Sequence, residues 1–168
     1  MKILTHTLMA LVANSAGVLA RITKFFGEHG YNIDALTVAP TYHDPRVSRI
    51  TIVTKGNTAV LEKMVQELSQ LEDISKVVVV REEDYLCREL LLVKAKADHK
   101  NQKEVLKIIR EVQGEILDEE SGAIIAMLHN HPDQNDQAIH QLKAFGVIEV
   151  VRTGRVAIGK GKTAFRQT

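Results

Sequence analysis

The stretch "VANSAGVLARI", Val12–Ile22, changes hydrophobic period partway along, and that change decides the fold. Upstream, residues 3–13 ("ILTHTLMALVA") are apolar on both faces and rich in Ile, Leu, Thr and Val, the pattern of a strand. Downstream, Val18, Leu19, Ile22, Phe25 and Phe26 fall at i, i+1, i+4, i+7 and i+8, one stripe of an amphipathic helix. Between them stand Asn14, Ser15, Ala16 and Gly17. Asn14 or Ser15 can cap the helix, and a glycine at 17 leaves room for a ligand or a second backbone. The unpaired N–H groups and dipole of a helix start suit a carboxylate or phosphate. The same four residues also describe a plain tight turn between strand and helix.

Working outward, the helix ends at "HGY", where Gly30 suits a left-handed cap. Residues 32–38 ("NIDALTV") read as a second strand, 40–45 ("PTYHDP") as a turn, and 46–56 ("RVSRITIVTKG") as a third strand. Val60, Leu61, Met64, Val65, Leu68 and Leu71 mark a second helix capped by Asn57 or Thr58. "ISKVVVVRE", 74–82, closes the series as a fourth strand. The order βαββαβ folds naturally as a four-stranded antiparallel sheet with both helices on one face, the ferredoxin-like arrangement.

The second half repeats the order. "LCRELLLVKAKA" (86–97) reads as a strand, and Val105, Ile108, Ile109 and Val112 as a helical stripe. "GEILDEE" and "AIIAMLHNH" flank a hairpin turn at Ser121-Gly122. Ala138, Ile139, Leu142 and Phe145 make a weaker helix, and "VIEVVRTGRVAIG" (147–159) the last strand. The expected class is α+β: two tandem ferredoxin-like units, 1–82 and 83–168, joined near Glu82–Tyr85, with a mobile basic tail, "KGKTAFRQT".

Composition narrows the functions. The 168 residues are 45% hydrophobic and carry a net charge of +1, which gives no general field for gripping nucleic acid or a membrane surface. A lone cysteine, Cys87, rules out an intrachain disulfide framework and fits a reducing compartment. The N-terminal run is broken by Thr5, His6 and Thr7, so it reads as a strand and not a signal peptide, and the chain as cytoplasmic.

Few residues suggest chemistry. Asn32 opens a potential edge strand, and its amide offers a donor and an acceptor, which suits the ammonium and carboxylate of an amino acid. If two copies pair along that edge, Asn32 of one faces the helix mouth of the other. "HNHPDQNDQAIH" gathers His129, His131, Asp133, Asp136 and His140, but the spacing lacks a metal-specific pattern. It reads instead as a polar loop with Pro132 opening a helix. Cys87 lies in an apolar strand and reads as a core thiol, and no paired carboxylates, Ser-His-Asp set or dinucleotide fingerprint stands out.

"NSAGVLARI…GYNIDALTVAPT…SRITIVTKG", continued by "REEDYLCRELLLVKA" and "IEVVRTGRVAIGKG", resembles the ACT-domain family. Within it, the Asn-x-x-Gly-x-Leu-x-Arg start resembles the regulatory (small) subunits of acetohydroxyacid synthase, also called acetolactate synthase. The resemblance implies an N-terminal ACT domain for effector binding and dimerisation, and an ACT-like C-terminal domain. It also implies a non-catalytic cytoplasmic homodimer that activates a large subunit and confers feedback inhibition by valine or another branched-chain amino acid. Thiamine diphosphate, Mg and FAD would belong to that large subunit, and this chain would hold no cofactor. By motif position, Asn14, Gly17, Val18 and Leu19 of one chain and Asn32 and Ile33 of its neighbour would bind the effector. The departure lies at "MLHNHPDQNDQAIHQL", where the family usually carries a turn with Gly and Thr; there His129 and His131 are the metal candidates. Rival readings are a stand-alone amino-acid or metal sensor and an enzyme built on Cys87 and the histidines.

Overall fold

The computed structural model describes residues 3–166. Its elements run β1 (Leu4–Ala13), α1 (Val18–Glu28), β2 (Ala35–Pro40), β3 (Val47–Gly56), α2 (Thr58–Leu68), β4 (Ile74–Val79), β5 (Tyr85–Arg88) and β6 (Leu91–Lys96). They continue with α3 (Gln102–Glu111), β7 (Glu115–Glu120), β8 (Ala123–Leu128), α4 (Pro132–Leu142), β9 (Val147–Arg152) and β10 (Val156–Gly159). The chain divides into two compact units: residues up to Leu86 together with those from Arg155 on, and residues Cys87–Gly154.

The first unit is built on an antiparallel sheet of order β2-β3-β1-β4, the ferredoxin-like order expected from βαββαβ. Alternation sorts the side chains. Leu8, Ala10 and Val12 of β1, with Ile50 and Ile52 of β3, join Val18, Ile22, Phe25 and Phe26 of α1 and Leu61, Met64 and Leu68 of α2 in one core. Helix α1 ends as its sequence indicates. Gly30 is left-handed (φ +68°), its N–H donates to Gly27 O, and the Tyr31 N–H donates to Phe26 O. Asn57 caps α2, its side chain accepting from the Val60 N–H.

β2 starts at Ala35, not at residue 32. Residues 32 and 33 are spent in leaving the helix: Thr54 Oγ1 donates to Asn32 O, Ile33 packs against the core, and only Ala35 enters register with Val53.

β1 is apolar on both faces because its outer face is covered too. Met9 and Leu11 are buried there, and Leu11 lies opposite Arg49 on β3 and Lys76 on β4. The end of the chain lies across this row. The Phe165 ring sits under both cations, 5.3 Å from the Arg49 guanidinium carbon and 5.6 Å from Lys76 Nζ. Arg49 also donates to Ala157 O, Lys76 Nζ to Arg166 O (3.3 Å), and Arg155 Nη1 to Thr7 Oγ1 (3.3 Å). Desolvation lowers the Arg49 pKa from its ordinary value.

Residues 160–166 are therefore docked, against the expectation of a mobile tail; Gln167 and Thr168 lie outside the described residues. The expected division at 82/83 shifts accordingly, since the last stretch packs on the first unit's sheet. Phe165→Ala is expected to release the segment. Trypsin should then cleave after Lys160 and Lys162 at least tenfold faster than in the wild type, with the rest of the chain cut no faster. Equal cleavage rates would mean that Phe165 holds nothing.

The second unit repeats the order as β7-β8-β6-β9, around Leu91, Val93, Ala95, Val105, Ile109, Ile124, Ala126, Leu128, Ala138 and Leu142. Its hairpin turns at Ser121 (φ +53°) and Gly122 (φ +76°), the doubly left-handed turn that matches strand twist. Two long expected strands are each split. Residues 86–97 break at Glu89-Leu90, and 147–159 break at Thr153-Gly154, where Gly154 has φ +81°.

The first break exists because Glu89, 5% exposed, turns inward. Arg152 donates to its Oε2 from Nε (3.1 Å) and Nη2 (2.7 Å), and Asn135 Nδ2, fully buried on α4, donates to Glu89 O (3.1 Å). Arg152 also pairs with Asp136 (2.7 Å). Burial pushes the Arg152 pKa down, but its bonds to Glu89 and Asp136 outweigh this and hold it above the ordinary value.

Candidate effector-binding site

β1 delivers the chain to α1 through Asn14–Gly17, all four of them exposed. Gly17 takes the N-cap position at φ +86°, ψ −14°, a left-handed conformation that residues with a Cβ adopt at a cost of about 1–2 kcal/mol. No side chain caps this helix, contrary to the expectation for Asn14 or Ser15. Asn14 instead donates its amide to Pro45 O (2.8 Å) and its backbone N–H to Arg46 O (2.7 Å). Its side chain thus ties the end of β1 to the loop between β2 and β3. The helix mouth keeps uncapped N–H groups and the partial positive charge of the dipole, with no acidic residue in its first turn.

Arg21, one turn into α1, was not expected in the site. Its Nε and Nη2 donate to Asp73 (2.5 and 2.9 Å), and a Cβ built on Gly17 would lie 2.9 Å from the remaining nitrogen, Nη1. The guanidinium therefore stands beside the glycine, clamped from behind. Their shared hydrogen bonds hold Asp73 below the usual carboxylate range and Arg21 above its ordinary value. The legible signal for Arg21 was its spacing of four residues from Gly17, which puts both on one helix face. Asp73 is distant in sequence and carried no signal.

The apolar candidates differ in what they offer. Val18 is buried in the core, whereas Leu19 is exposed on the helix surface. Asn32 is exposed and donates to Asp34 Oδ1 (2.5 Å), while Ile33 is half-buried. A single chain does not bring the two groups together. Asn14 is held beside Val47, which faces Ala13, and Asn32 beside Thr54. Those contacts lie seven residues apart on β3, about 23 Å at strand spacing. β2, next to Asn32, is an edge strand of the sheet.

His129 is exposed beyond the end of β8, and His131 is the N-cap of α4, its Nδ1 accepting from the Asp133 N–H. Asn130 donates to Val112 O (2.8 Å) and accepts the Glu89 N–H at its own carbonyl, so the polar loop serves to join elements. Among the described residues no group of three or more His, Cys, Asp or Glu could hold a metal. Cys87 is buried. Also among the described residues, no helix is long and apolar enough to cross a membrane.

Two βαββαβ units, the first opening its leading helix at a left-handed glycine, define a protein of two tandem ferredoxin-like domains. Residues 8–76 match the model of the "AHAS small subunit-like ACT domain", and residues 88–161 that of the "small subunit of acetolactate synthase". The acetolactate synthase small subunit of Haemophilus influenzae is 33% identical over 156 residues, covering 92% of this chain and 95% of that protein. The isozyme 3 small subunit of Salmonella typhimurium is 34% identical over 160 residues, covering 95% and 98%. The crystal structure of the small subunit from Thermotoga maritima superposes with a TM-score of 0.84 at 26% identity, over 95% of this chain and 99% of that one. The chain belongs to the acetolactate synthase small-subunit family. Such a small subunit is regulatory, is not catalytic by itself, and implies a catalytic large-subunit partner in branched-chain amino-acid biosynthesis.

Proposed function

We propose that this chain acts in the cytoplasm as a homodimer that stimulates the large subunit and makes it sensitive to a branched-chain amino acid, valine first. In this reading thiamine diphosphate, Mg and FAD belong to the large subunit. The effector carboxylate lies at the α1 mouth, on the N–H groups around Gly17. Asn32 of the second copy takes the ammonium, and Leu19 and Ile33 line the short branched side chain. The observation that carries this is the separation of the two groups to opposite ends of β3, beside an open edge strand. A second copy paired along β2 supplies what one chain lacks. Because an effector shifts a conformational balance only by its differential affinity, valine inhibits to the extent that it binds one dimer state more tightly.

Reconstitution tests the whole reading. The purified chain should show no synthase activity, should raise that of the purified large subunit, and should lose this effect as valine is added. Unchanged activity and unchanged valine response on mixing would sink the proposal. Leu and Ile each carry one methylene more than Val, worth about 1–3 kcal/mol, and differ from one another only in where the side chain branches, so titrating all three ranks the effectors.

A further inference from the structure

The guanidinium of Arg21 carries more donors than Asp73 uses. An arginine side chain presents five N–H groups in a rigid plane, arranged so that one carboxylate takes two of them. Asp73 occupies the side edge, Nε (2.5 Å) and Nη2 (2.9 Å), which fixes the plane and leaves two N–H groups on Nη1 and one on Nη2. Among the described residues Arg21 pairs with no carboxylate except Asp73. The remaining edge, Nη1 with the outer Nη2 proton, is a second fork of the shape that binds a carboxylate through two parallel bonds.

That fork lies at the mouth of α1. Nη1 stands 2.9 Å from where a Cβ on Gly17 would be, so position 17 must lack a side chain for the guanidinium to lie there. The backbone beside it offers donors of its own. The Val18 N–H donates to Ser15 O (3.4 Å) and the Arg21 N–H to Gly17 O (3.0 Å), while the Leu19 and Ala20 N–H groups between them have no partner among the described residues. A full cation, two open N–H groups and the positive end of the helix dipole therefore meet in one place. The bonds between Arg21 and Asp73 hold the carboxylate below its usual range and the guanidinium above its ordinary value, so both stay ionised in neutral solution.

Resting on the effector-site reading above, we propose that the free edge of Arg21 binds the effector's carboxylate directly, and that Asp73 is the positioning residue that aims it. Gly17 then serves the arginine: it is the position whose side chain must be absent for the guanidinium to reach the mouth. The carboxylate takes the Arg21 fork on one side and the Leu19 and Ala20 N–H groups on the other. Such a site selects for the negative charge itself, because a neutral amide in the same place forms weaker bonds to a cation that stays ionised. Lysine cannot replace the arginine fully, since an ammonium is a point charge with no second edge for Asp73 to hold.

The test titrates the purified chain with valine and with valinamide, whose carboxyl is a neutral amide, following amide resonances by NMR so that millimolar affinities are read. Arg21→Ala should weaken valine at least tenfold, about 1.4 kcal/mol, and valinamide by no more than threefold. Arg21→Lys should fall between wild type and Arg21→Ala. Asp73→Asn should weaken valine in the wild-type background and change nothing further when added to Arg21→Ala, because it acts through the arginine. The melting temperature should move little, since an exposed ion pair contributes little to stability. Valine affinity within twofold of wild type in Arg21→Ala overturns the inference and leaves the effector-site reading standing. Equal weakening of valine and valinamide also overturns it, because a residue that only shapes the mouth affects both ligands alike. If the wild-type chain binds none of valine, leucine or isoleucine, the effector-site reading falls and this inference falls with it.

Discussion

Gly17→Asp is expected to weaken valine binding at least a hundredfold while leaving stimulation of the large subunit largely intact. Two features converge on this position. A Cβ there would lie 2.9 Å from Arg21 Nη1, so the new side chain displaces the guanidinium from the helix mouth. It also places a carboxylate on the N–H groups proposed for the effector's own, and like charges in a partly desolvated site repel by several kcal/mol. A hundredfold loss corresponds to about 2.7 kcal/mol, within that range. The fold should survive, because aspartate is one of the residues that tolerate a left-handed backbone and position 17 is exposed. Gly17→Asn, nearly the same shape without the charge, separates sterics from electrostatics and should retain more of the affinity. Calorimetry with valine reads the first effect and reconstitution the second. If Gly17→Asp abolishes binding and stimulation together, Gly17 is a folding residue and the site reading fails.

Arg152→Ala is expected to remove about 3 kcal/mol from the second unit. The substitution leaves Glu89, 5% exposed, as a buried carboxylate without its cation, and breaking one partner of a buried pair costs roughly 3–5 kcal/mol. The partial exposure of Arg152 itself argues for the lower end. A unit of this size is stable by only about 3–10 kcal/mol, so it should unfold well before the first. The chain has no tryptophan, so far-UV circular dichroism in urea, with amide exchange on β6 and β8, is the suitable readout. The double variant Glu89→Gln/Arg152→Met should be more stable than Arg152→Ala, because no buried charge remains. A loss under 1 kcal/mol in the single variant would show that Glu89 is solvated when its partner leaves.

The legible parts of the fold were those governed by local periodicity. The α1 stripe, the Gly30 ending, the Asn57 cap, the Ser121-Gly122 turn and Pro132 at the head of α4 each depend on residues within a few positions of one another. Strand limits were less legible where a residue's role is set by a distant partner. Glu89 interrupts "LCRELLLVKAKA" only because Arg152 and Asn135 meet it, and "VIEVVRTGRVAIG" divides because its halves join different sheets. The docked tail was missed for the same reason. Phe165 looks like one aromatic in a Gly- and Lys-rich end until β3 and β4 set Arg49 and Lys76 on either side of Leu11.

The candidate site divides along the same line. By itself the sequence determined two βαββαβ units, a glycine at the mouth of the first helix, and the motif that placed Asn14, Gly17 and Asn32. Hydrophobic period and backbone permissiveness are short-range properties and can be read along a chain. Only the tertiary structure decided that Asn14 braces a loop instead of capping the helix, and that Asp73 clamps Arg21 beside Gly17. It also set Asn14 and Asn32 at opposite ends of β3. Each of these depends on hydrogen bonds and distances between residues far apart in sequence, and the sheet register that brings such residues together exists only once the chain has folded.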